Sequence, residues 1–111
     1  MITINNEAEL GSFFKDKQNT LIMYHTEQNC KECEKLLPAF KKLALDPDHQ
    51  NVGFGQMEAA PASEAERLIN QRQLPFVASY KWGVLIECRM VTSEEDLRDM
   101  LKNLPTINLN V

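Results

Sequence analysis

The 111-residue sequence predicts a single α/β domain, in which about four helices cover a mixed sheet of about five strands. Three observations predict this class. Strand-length and helical apolar patterns alternate through the first part of the chain, which requires parallel strands joined by crossover helices. The segment 75–91 then forms two strand patterns around the turn Lys81-Trp82-Gly83, which requires an antiparallel pair. The length suits one domain and leaves little room for a second.

The spacing of apolar residues assigns most of the elements. In order, the predicted elements are a strand at 2–4, a helix within 6–17, a strand at 20–25, a helix at 30–45, a strand at 51–57, a helix after 63, strands at 75–80 and 84–91, and a helix after 92. The run 20–25 is nearly continuous in apolar residues, as in a strand covered on both faces. Apolar residues recur at helical spacing from Cys33 onward, and Pro38 should bend that helix.

Capping residues mark the beginnings of the other three helices. Each pair has a polar capping residue and a glutamate three positions later: Asn6 with Glu9, Ser63 with Glu66, and Thr92 with Glu95. The last helix is expected to end at Pro105, since proline cannot continue it.

Composition and charge exclude several classes of protein. A net charge of −4 with scattered Lys and Arg argues against a nucleic-acid partner. No apolar run approaches the ~18 residues that a membrane span needs, and residues 1–10 lack the pattern of a secretory signal. Three cysteines are too few for a disulfide-stapled secreted domain, so a reducing cytoplasm is expected.

Two cysteines three positions apart, Cys30 and Cys33, lie where the strand 20–25 passes into the helix 30–45. A helix N-terminus offers free N–H groups and a positive dipole end, a setting that lowers a cysteine pKa from about 8.5 toward about 7 or below. Cys33 lies one turn into the helix and begins its apolar face, so we expect it to be the more buried. Cys30 is therefore the expected nucleophile and Cys33 the resolving cysteine of a dithiol–disulfide cycle.

Two other interpretations of the pair stay open. Zinc sites use the same spacing, but zinc would need two more ligands, and the candidates Cys88, His25 and His49 form no second paired motif. The thiols can also be incidental, since free cysteine is often a small buried apolar residue. That description fits Cys88, which we expect to be structural and buried within the last hairpin.

The strand–CxxC–helix unit, with Pro38 five residues after Cys33, resembles thioredoxin. The segment "QLPFVASYKWGVLIECRMV", in which a proline opens a strand that turns into the last strand, also resembles that family. The likeness covers residues 2–104 and implies the thioredoxin fold.

The resemblance also implies a substrate-binding surface. Pro75 would be a cis-proline beside the disulfide, and the backbone of Leu74 would pair with an extended segment of the substrate. Met90 and Val91 would complete a shallow apolar patch around Cys30.

Four positions depart from the family's pattern. Asn29 stands where the family has tryptophan before the first cysteine. Lys31 and Glu32 replace the usual Gly-Pro between the cysteines. Tyr24, six residues before Cys30, occupies the position of a buried aspartate.

These replacements are expected to tune the pKa values of the cysteines. Lys31 should stabilise the Cys30 thiolate, whereas Glu27 and Glu32 oppose it. Without the aspartate, the resolving cysteine needs another proton acceptor, which is water, Tyr24 or one of these two carboxylates.

The sequence thus predicts a cytoplasmic thiol–disulfide oxidoreductase that reduces protein disulfides through Cys30 and Cys33. No bound cofactor or metal is expected. The resemblance implies reducing equivalents from NADPH through a thioredoxin reductase, or from glutathione, with the chain acting as a monomer on disulfide-containing proteins. The alternative is a thioredoxin-fold interaction module with little or no turnover, which the absent tryptophan and aspartate favour.

Overall fold

The computed structural model describes residues 1–26 and 30–104, and the predicted order of strands and helices is confirmed. A short 3-10 helix, Pro47–His49, is an addition to that order. The elements are β1 (Ile2–Ile4), α1 (Glu7–Asp16), β2 (Asn19–His25), α2 (Lys31–Leu45), β3 (Val52–Glu58), α3 (Glu64–Arg72), β4 (Phe76–Lys81), β5 (Val84–Met90) and α4 (Glu94–Asn103).

The five strands form one mixed sheet in the order β1-β3-β2-β4-β5. Strand β3 is parallel to β1 and β2, whereas β4 is antiparallel to β2 and β5. Helix α2 is the crossover between the parallel neighbours β2 and β3, and a two-residue turn joins the antiparallel neighbours β4 and β5, whereas α3 leads from β3 to the antiparallel β4 on the other side of β2. Strand β2, which leads to Cys30, therefore lies at the centre of the sheet, and β1 and β5 form its edges.

Helices cover both faces of the sheet, as predicted. Leu21 and Met23 of β2 contribute to the largest apolar cluster, which they share with α2 and α4. Ile22 packs with α1, and Tyr24 contacts the clusters beneath both α1 and α3. Because successive side chains of a strand point to opposite faces, this two-sided cover accounts for the continuous apolar run of β2.

Strand β3 comes close to α1 and β1 because it contains glycine. A Cβ atom on Gly55 would lie 2.8 Å from Cδ1 of Ile4 and 3.1 Å from Cζ of Phe13. Gly55 is thus required by the packing on this face.

Two of the predicted helix caps are confirmed. Side-chain oxygens of Asn6 and Ser63 accept the backbone N–H three residues later, at 2.9 and 3.1 Å. Pro38 lies inside α2, as expected, and the predicted stop at Pro105 lies outside the described residues. Within residues 1–26 and 30–104, no helix combines the length and the hydropathy needed to cross a membrane.

The predicted cap of α4, Thr92 with Glu95, is wrong by one residue. Ser93 is the N-cap, and its hydroxyl accepts the N–H of Asp96 at 3.4 Å. The N–H and hydroxyl of Thr92 both donate to the Asp96 carboxylate at 2.8 Å, and these bonds lower the pKa of Asp96 below its ordinary value. Thr92 therefore lies one position before the cap, where the Asp96 side chain holds its N–H and hydroxyl.

The hairpin between β4 and β5 turns through Trp82 and Gly83, whose φ angles are 51° and 81°. Positive φ at both central residues matches the twist of the strands. Glycine adopts this conformation freely, whereas for another residue it costs roughly 1–2 kcal/mol. The N–H of Trp82 donates to the carbonyl of Gln18 at 2.7 Å, which holds the turn in place. Ile86 is an extra residue in β5, because Ser79 pairs with Glu87 and the next pair is Tyr80 with Leu85.

Candidate redox site

The cysteine pair lies at the start of α2, beyond the carboxyl end of the central strand. Cys30 is the N-cap residue of the helix, and its Sγ accepts the N–H of Cys33 at 3.2 Å. The two cysteines form a disulfide, with their Cα atoms 5.2 Å apart. This separation lies within the ordinary range for disulfides, so the first turn of the helix accommodates the bond without displacement of the backbone.

The two cysteines are almost equally buried, which contradicts the predicted difference between them. The exposed fraction is 6% for Cys30 and 9% for Cys33. Cys30 is covered because it lies on the α3 side of the sheet end, where Ala59 and Ile69 form a buried cluster with both cysteines. The asymmetry of the pair is thus one of hydrogen bonding, since the Cys30 sulfur accepts a helix N–H.

Apolar and aromatic side chains surround this cluster. Four partly buried residues pack against it: Tyr24, Ala65, Phe76 and Met90. Tyr24 and Phe76 are paired across β2 and β4, and their rings meet edge-on at 6.0 Å. The sequence did not single out Phe76, although its position next to Pro75 at the start of a strand was a usable signal.

Pro75 lies at the entrance to β4, and it is fully buried. Its carbonyl oxygen accepts the N–H of Val91 at 2.9 Å. This bond joins the segment of Pro75 to the segment of Val91, both of which the resemblance places beside the cysteines. The expected cis bond before Pro75 is wrong, since every peptide bond in the described residues is trans. The trans form is the intrinsically favoured isomer of an X–Pro bond, by about 0.5–1 kcal/mol.

The expected surface residues differ in exposure. Leu74 and Met90 are partly exposed, and Met90 also packs against the cysteine cluster. Val91 is fully buried in the core beneath α2 and α4. The prediction that Val91 completes an exposed apolar patch is therefore wrong, because its side chain does not reach the surface. Strand alternation explains the difference, because adjacent residues at the end of β5 point to opposite faces.

Tyr24 lies beside the cysteines, but its hydroxyl has another partner. The hydroxyl oxygens of Tyr24 and Tyr80 are 2.7 Å apart. Burial raises the pKa of Tyr80 well above its ordinary value, and the hydrogen bond to Tyr24 raises it further. Tyr80 therefore keeps its proton at neutral pH. The sequence did not identify this pairing, because the two residues are far apart in the register of β2 and β4.

The charged residues proposed to tune the cysteines lie at the surface. Lys31 is exposed. Glu32 is partly exposed, and its carboxylate pairs with Lys35 at 3.1 Å, which offsets part of the charge that it would direct at the cysteines. Glu27, the other carboxylate expected to act here, lies outside the described residues.

Cys88 is an exposed free thiol, so the expectation that it is buried is wrong. It lies opposite Ala78 on β5, which is an edge strand of the sheet that residues 1–26 and 30–104 form, and it lines an open apolar cavity of about 240 Å³ together with Tyr24 and Phe76. In the part of the chain that the structure describes, no group of three or more His, Cys, Asp or Glu side chains is arranged to hold a metal ion.

The architecture described above, with its cysteine pair at the start of the second helix, is the thioredoxin fold. The chain is similar to a solved thioredoxin from Plasmodium falciparum (TM-score 0.69, 13% identity, 93% of this chain and 98% of that one). It is also similar to mitochondrial thioredoxin 3 from Saccharomyces cerevisiae (TM-score 0.69, 18% identity, 93% and 94%). A mutant thioredoxin from Halobacterium salinarum matches at TM-score 0.69 and 18% identity, over 92% and 88%.

No protein-family model matches the sequence, and no curated protein is similar to it. At identities of 13–18%, the structural likeness establishes the fold, and the chemistry has to be argued from the residues of this chain.

Proposed function

We propose that the protein is a thiol–disulfide oxidoreductase that reduces protein disulfides through a Cys30/Cys33 cycle. One observation carries the proposal: the two sulfurs are joined across the first turn of a helix, and the Cys30 sulfur caps that helix. A pair in this position can alternate between dithiol and disulfide with little change in the backbone. The fold shared with thioredoxins supports the same chemistry.

The cycle transfers two electrons and two protons. The Cys30 thiolate attacks one sulfur of the substrate disulfide, the substrate S–S bond breaks, and a mixed disulfide forms while the first substrate thiol leaves. Cys33, after losing its proton, attacks the Cys30 sulfur. The mixed disulfide then breaks, the second substrate thiol leaves, and the Cys30–Cys33 disulfide remains.

The assignment of Cys30 as nucleophile rests on its hydrogen bond. The N–H of Cys33 points at the Cys30 sulfur, and the positive end of the α2 dipole lies at the same place. Both interactions favour negative charge on Cys30, which makes it the better attacking thiolate of the pair.

The substrate would dock on the segments beside the disulfide. Leu74 precedes β4 and is partly exposed, so its backbone is a candidate to pair with an extended chain, with Pro75 fixing its direction. Met90 supplies apolar contact beside Cys30. Exposed Lys31 would support the Cys30 thiolate, whereas Tyr24, whose hydroxyl is bonded to Tyr80, would act through packing rather than as a base.

One chain supplies both sulfurs, so the redox unit needs no second copy and no bound cofactor. Reducing equivalents would come from NADPH through a thioredoxin reductase, or from glutathione. The chemistry suits a reducing compartment, and the cytoplasm is the proposed location.

Reduction of insulin, with NADPH and a thioredoxin reductase, tests the proposal. The wild type should be active. Cys30→Ser should abolish turnover, and Cys33→Ser should accumulate a mixed disulfide that mass spectrometry detects. Cys88→Ser is the matched control and should retain activity, because that thiol lies outside the proposed cycle. An inactive wild type, or an active Cys30→Ser protein, would contradict the proposal.

The reduction potential of the pair gives the direction of electron flow. We expect a value near that of thioredoxin, about −270 mV, when the protein is equilibrated with glutathione redox buffers. A value more positive by about 100 mV or more would indicate an oxidant or isomerase instead.

A binding module with little turnover is the second candidate, and one observation favours it: both cysteine residues are less than 10% exposed. Such a module would bind its partner equally well with Cys30→Ser/Cys33→Ser, and the wild type would not reduce insulin. Metal analysis of protein purified without chelators tests the zinc hypothesis in the same preparation.

A further inference from the structure

Strand β5 is an end strand of the sheet, with β4 as its neighbour. Edge strands present unpaired backbone groups that can pair with another strand. Three large apolar residues lie exposed at the hairpin end of this strand: Trp82 at 60%, Val84 at 52% and Leu85 at 54%. Among the described residues, this edge thus combines free backbone groups with exposed apolar side chains.

The hydrogen bonds of the ladder show which residues face outward. Val91 donates its N–H to Pro75 of the β4 side. Because inward and outward backbone groups alternate along an antiparallel strand, Arg89 and Glu87 also face β4. The N–H and C=O groups of Cys88 and Met90 therefore point away from the sheet, where a second strand can bind them.

A twofold axis limits how two copies of this edge can pair. In an antiparallel ladder, outward-facing residues must lie opposite outward-facing residues, so the axis passes through one residue of the strand. An axis at Glu87 or at Arg89 would place like charges opposite each other, which is unfavourable. An axis at Cys88 places Glu87 of each copy opposite Arg89 of the other.

We propose that two copies of this chain associate through an antiparallel β5–β5 ladder centred on Cys88. In this register Cys88 lies opposite Cys88 and exchanges two backbone hydrogen bonds with it. The ladder ends before Ile86, where the extra residue of β5 interrupts the alternation of side chains, and two Glu–Arg pairs lie on one of its faces.

The charges of this surface are already organised within one chain. The Glu87 carboxylate accepts from Nε of Arg89 at 3.1 Å, and Arg89 lies 4.0 Å from Asp96. Both side chains are largely covered, with 25% and 30% exposed. Dimerisation would extend the existing pair to four alternating charges. The sequence predicts a monomer, so the proposed dimer departs from that expectation. The dimer does not depend on the proposed redox activity.

Sedimentation velocity of the reduced protein, with tris(2-carboxyethyl)phosphine present, tests the register. The wild type should change from monomer to dimer as its concentration rises. Glu87→Arg and Arg89→Glu should each weaken the dimer at least tenfold, because each places like charges opposite each other. Glu64→Arg, which breaks an exposed ion pair with Arg67 on α3, is the matched control and should leave association unchanged.

A mixture of the two variants decides between effects within and between chains. Glu87→Arg chains carry two arginines on the edge, and Arg89→Glu chains carry two glutamates, so a 1:1 mixture restores both opposite-charge pairs only across the interface. We expect the mixture to dimerise although neither variant does alone. A wild type that stays monomeric, single variants that still dimerise, or a mixture that does not associate would each overturn the proposal.

Cys88→Pro provides a second route if the charge variants are unstable. The N–H of Cys88 points outward, so proline removes the central bonds between copies and leaves the β4–β5 ladder intact. Circular dichroism should show a folded protein that sediments as a monomer. A folded Cys88→Pro protein that dimerises like the wild type would contradict the proposed centre.

Discussion

The two faces of the sheet are filled in different ways. Beneath α2 and α4, large apolar side chains such as Phe40, Phe54 and Leu97 form one continuous cluster. The face beneath α1 and α3 carries two smaller clusters, and it includes the cysteine pair, two hydrogen-bonded tyrosines and glycine at the closest contacts. The face beneath α2 and α4 stabilises the fold by apolar burial, whereas the face beneath α1 and α3 contains the cysteine pair and the hydrogen-bonded tyrosines.

Removal of a large side chain from the α2/α4 face should have the largest effect. Phe40 is fully buried and meets the ring of Phe54 at 5.4 Å. We expect Phe40→Ala to lower the free energy of unfolding by about 3–5 kcal/mol, through lost burial and a residual cavity. Urea denaturation measures the change. Leu45→Ala on the same helix is the control, since Leu45 is 80% exposed and its loss should cost less than about 0.5 kcal/mol.

On the other face, addition of a methyl group should be the damaging change. A Cβ on Gly55 would clash with Ile4 and Phe13, so Gly55→Ala should cost about 1–3 kcal/mol in urea denaturation. Gly11→Ala in α1 is the matched control, because no atom lies within 4 Å of its added Cβ. That control should stabilise the protein by about 0.5–1 kcal/mol through helix propensity. Equal effects at both glycines would refute the close-packing account.

The tyrosine pair should make this face sensitive to alkaline pH. Because burial raises the pKa of Tyr80, the unfolded chain loses that proton at lower pH than the native protein. Its contribution is fully present below about pH 10 and is lost as pH rises above that value. At neutral pH, Tyr80→Phe should cost about 1 kcal/mol for the lost hydrogen bond.

Denaturation at pH 9 to 11 measures this dependence. The wild type should lose stability with pH more steeply than Tyr80→Phe. Tyr24→Phe is the control and should keep most of the steep dependence, because burial is the main cause of the shift at Tyr80. Identical slopes for the wild type and Tyr80→Phe would show that Tyr80 titrates normally.

The smallest effect is expected at the hairpin, away from both faces. Trp82 has φ 51° and is 60% exposed, so it loses little packing when replaced. Trp82→Asn should raise the free energy of unfolding by about 0.5 kcal/mol, since Asn-Gly is the preferred pair in this turn. A thermal melt measures the gain. A clear loss of stability would show that the indole packs usefully on the sheet.

Local pattern was sufficient for the order of elements and for the position of Cys30 at a helix start. Alternation in β1, the continuous apolar run of β2 and the Asn6 cap are properties of neighbouring residues, so they can be predicted from sequence. The start of α4 was missed by one residue because Thr92 and Ser93 are both residue types that cap helices, and the sequence does not show that the Asp96 carboxylate binds Thr92 while Ser93 caps the helix.

The site itself was only partly predictable, because burial and pairing depend on residues distant in the chain. The similar burial of Cys30 and Cys33 comes from cover by Ile69 of α3, and the partner of Tyr24 comes from β4. Cys88 is exposed because β5 is at the sheet edge, a property of strand order rather than of its own segment.

Pro38 interrupts the hydrogen bonding of α2 and so divides the helix into two segments. Without an N–H at this position, the bond to the Glu34 carbonyl is missing, and the backbone is least constrained there. The turns that carry the cysteines precede Pro38, whereas Phe40 and Leu43, which are buried in the core, follow it. We expect any small adjustment of the cysteine-bearing turns on reduction to stop at Pro38, short of the buried residues Phe40 and Leu43.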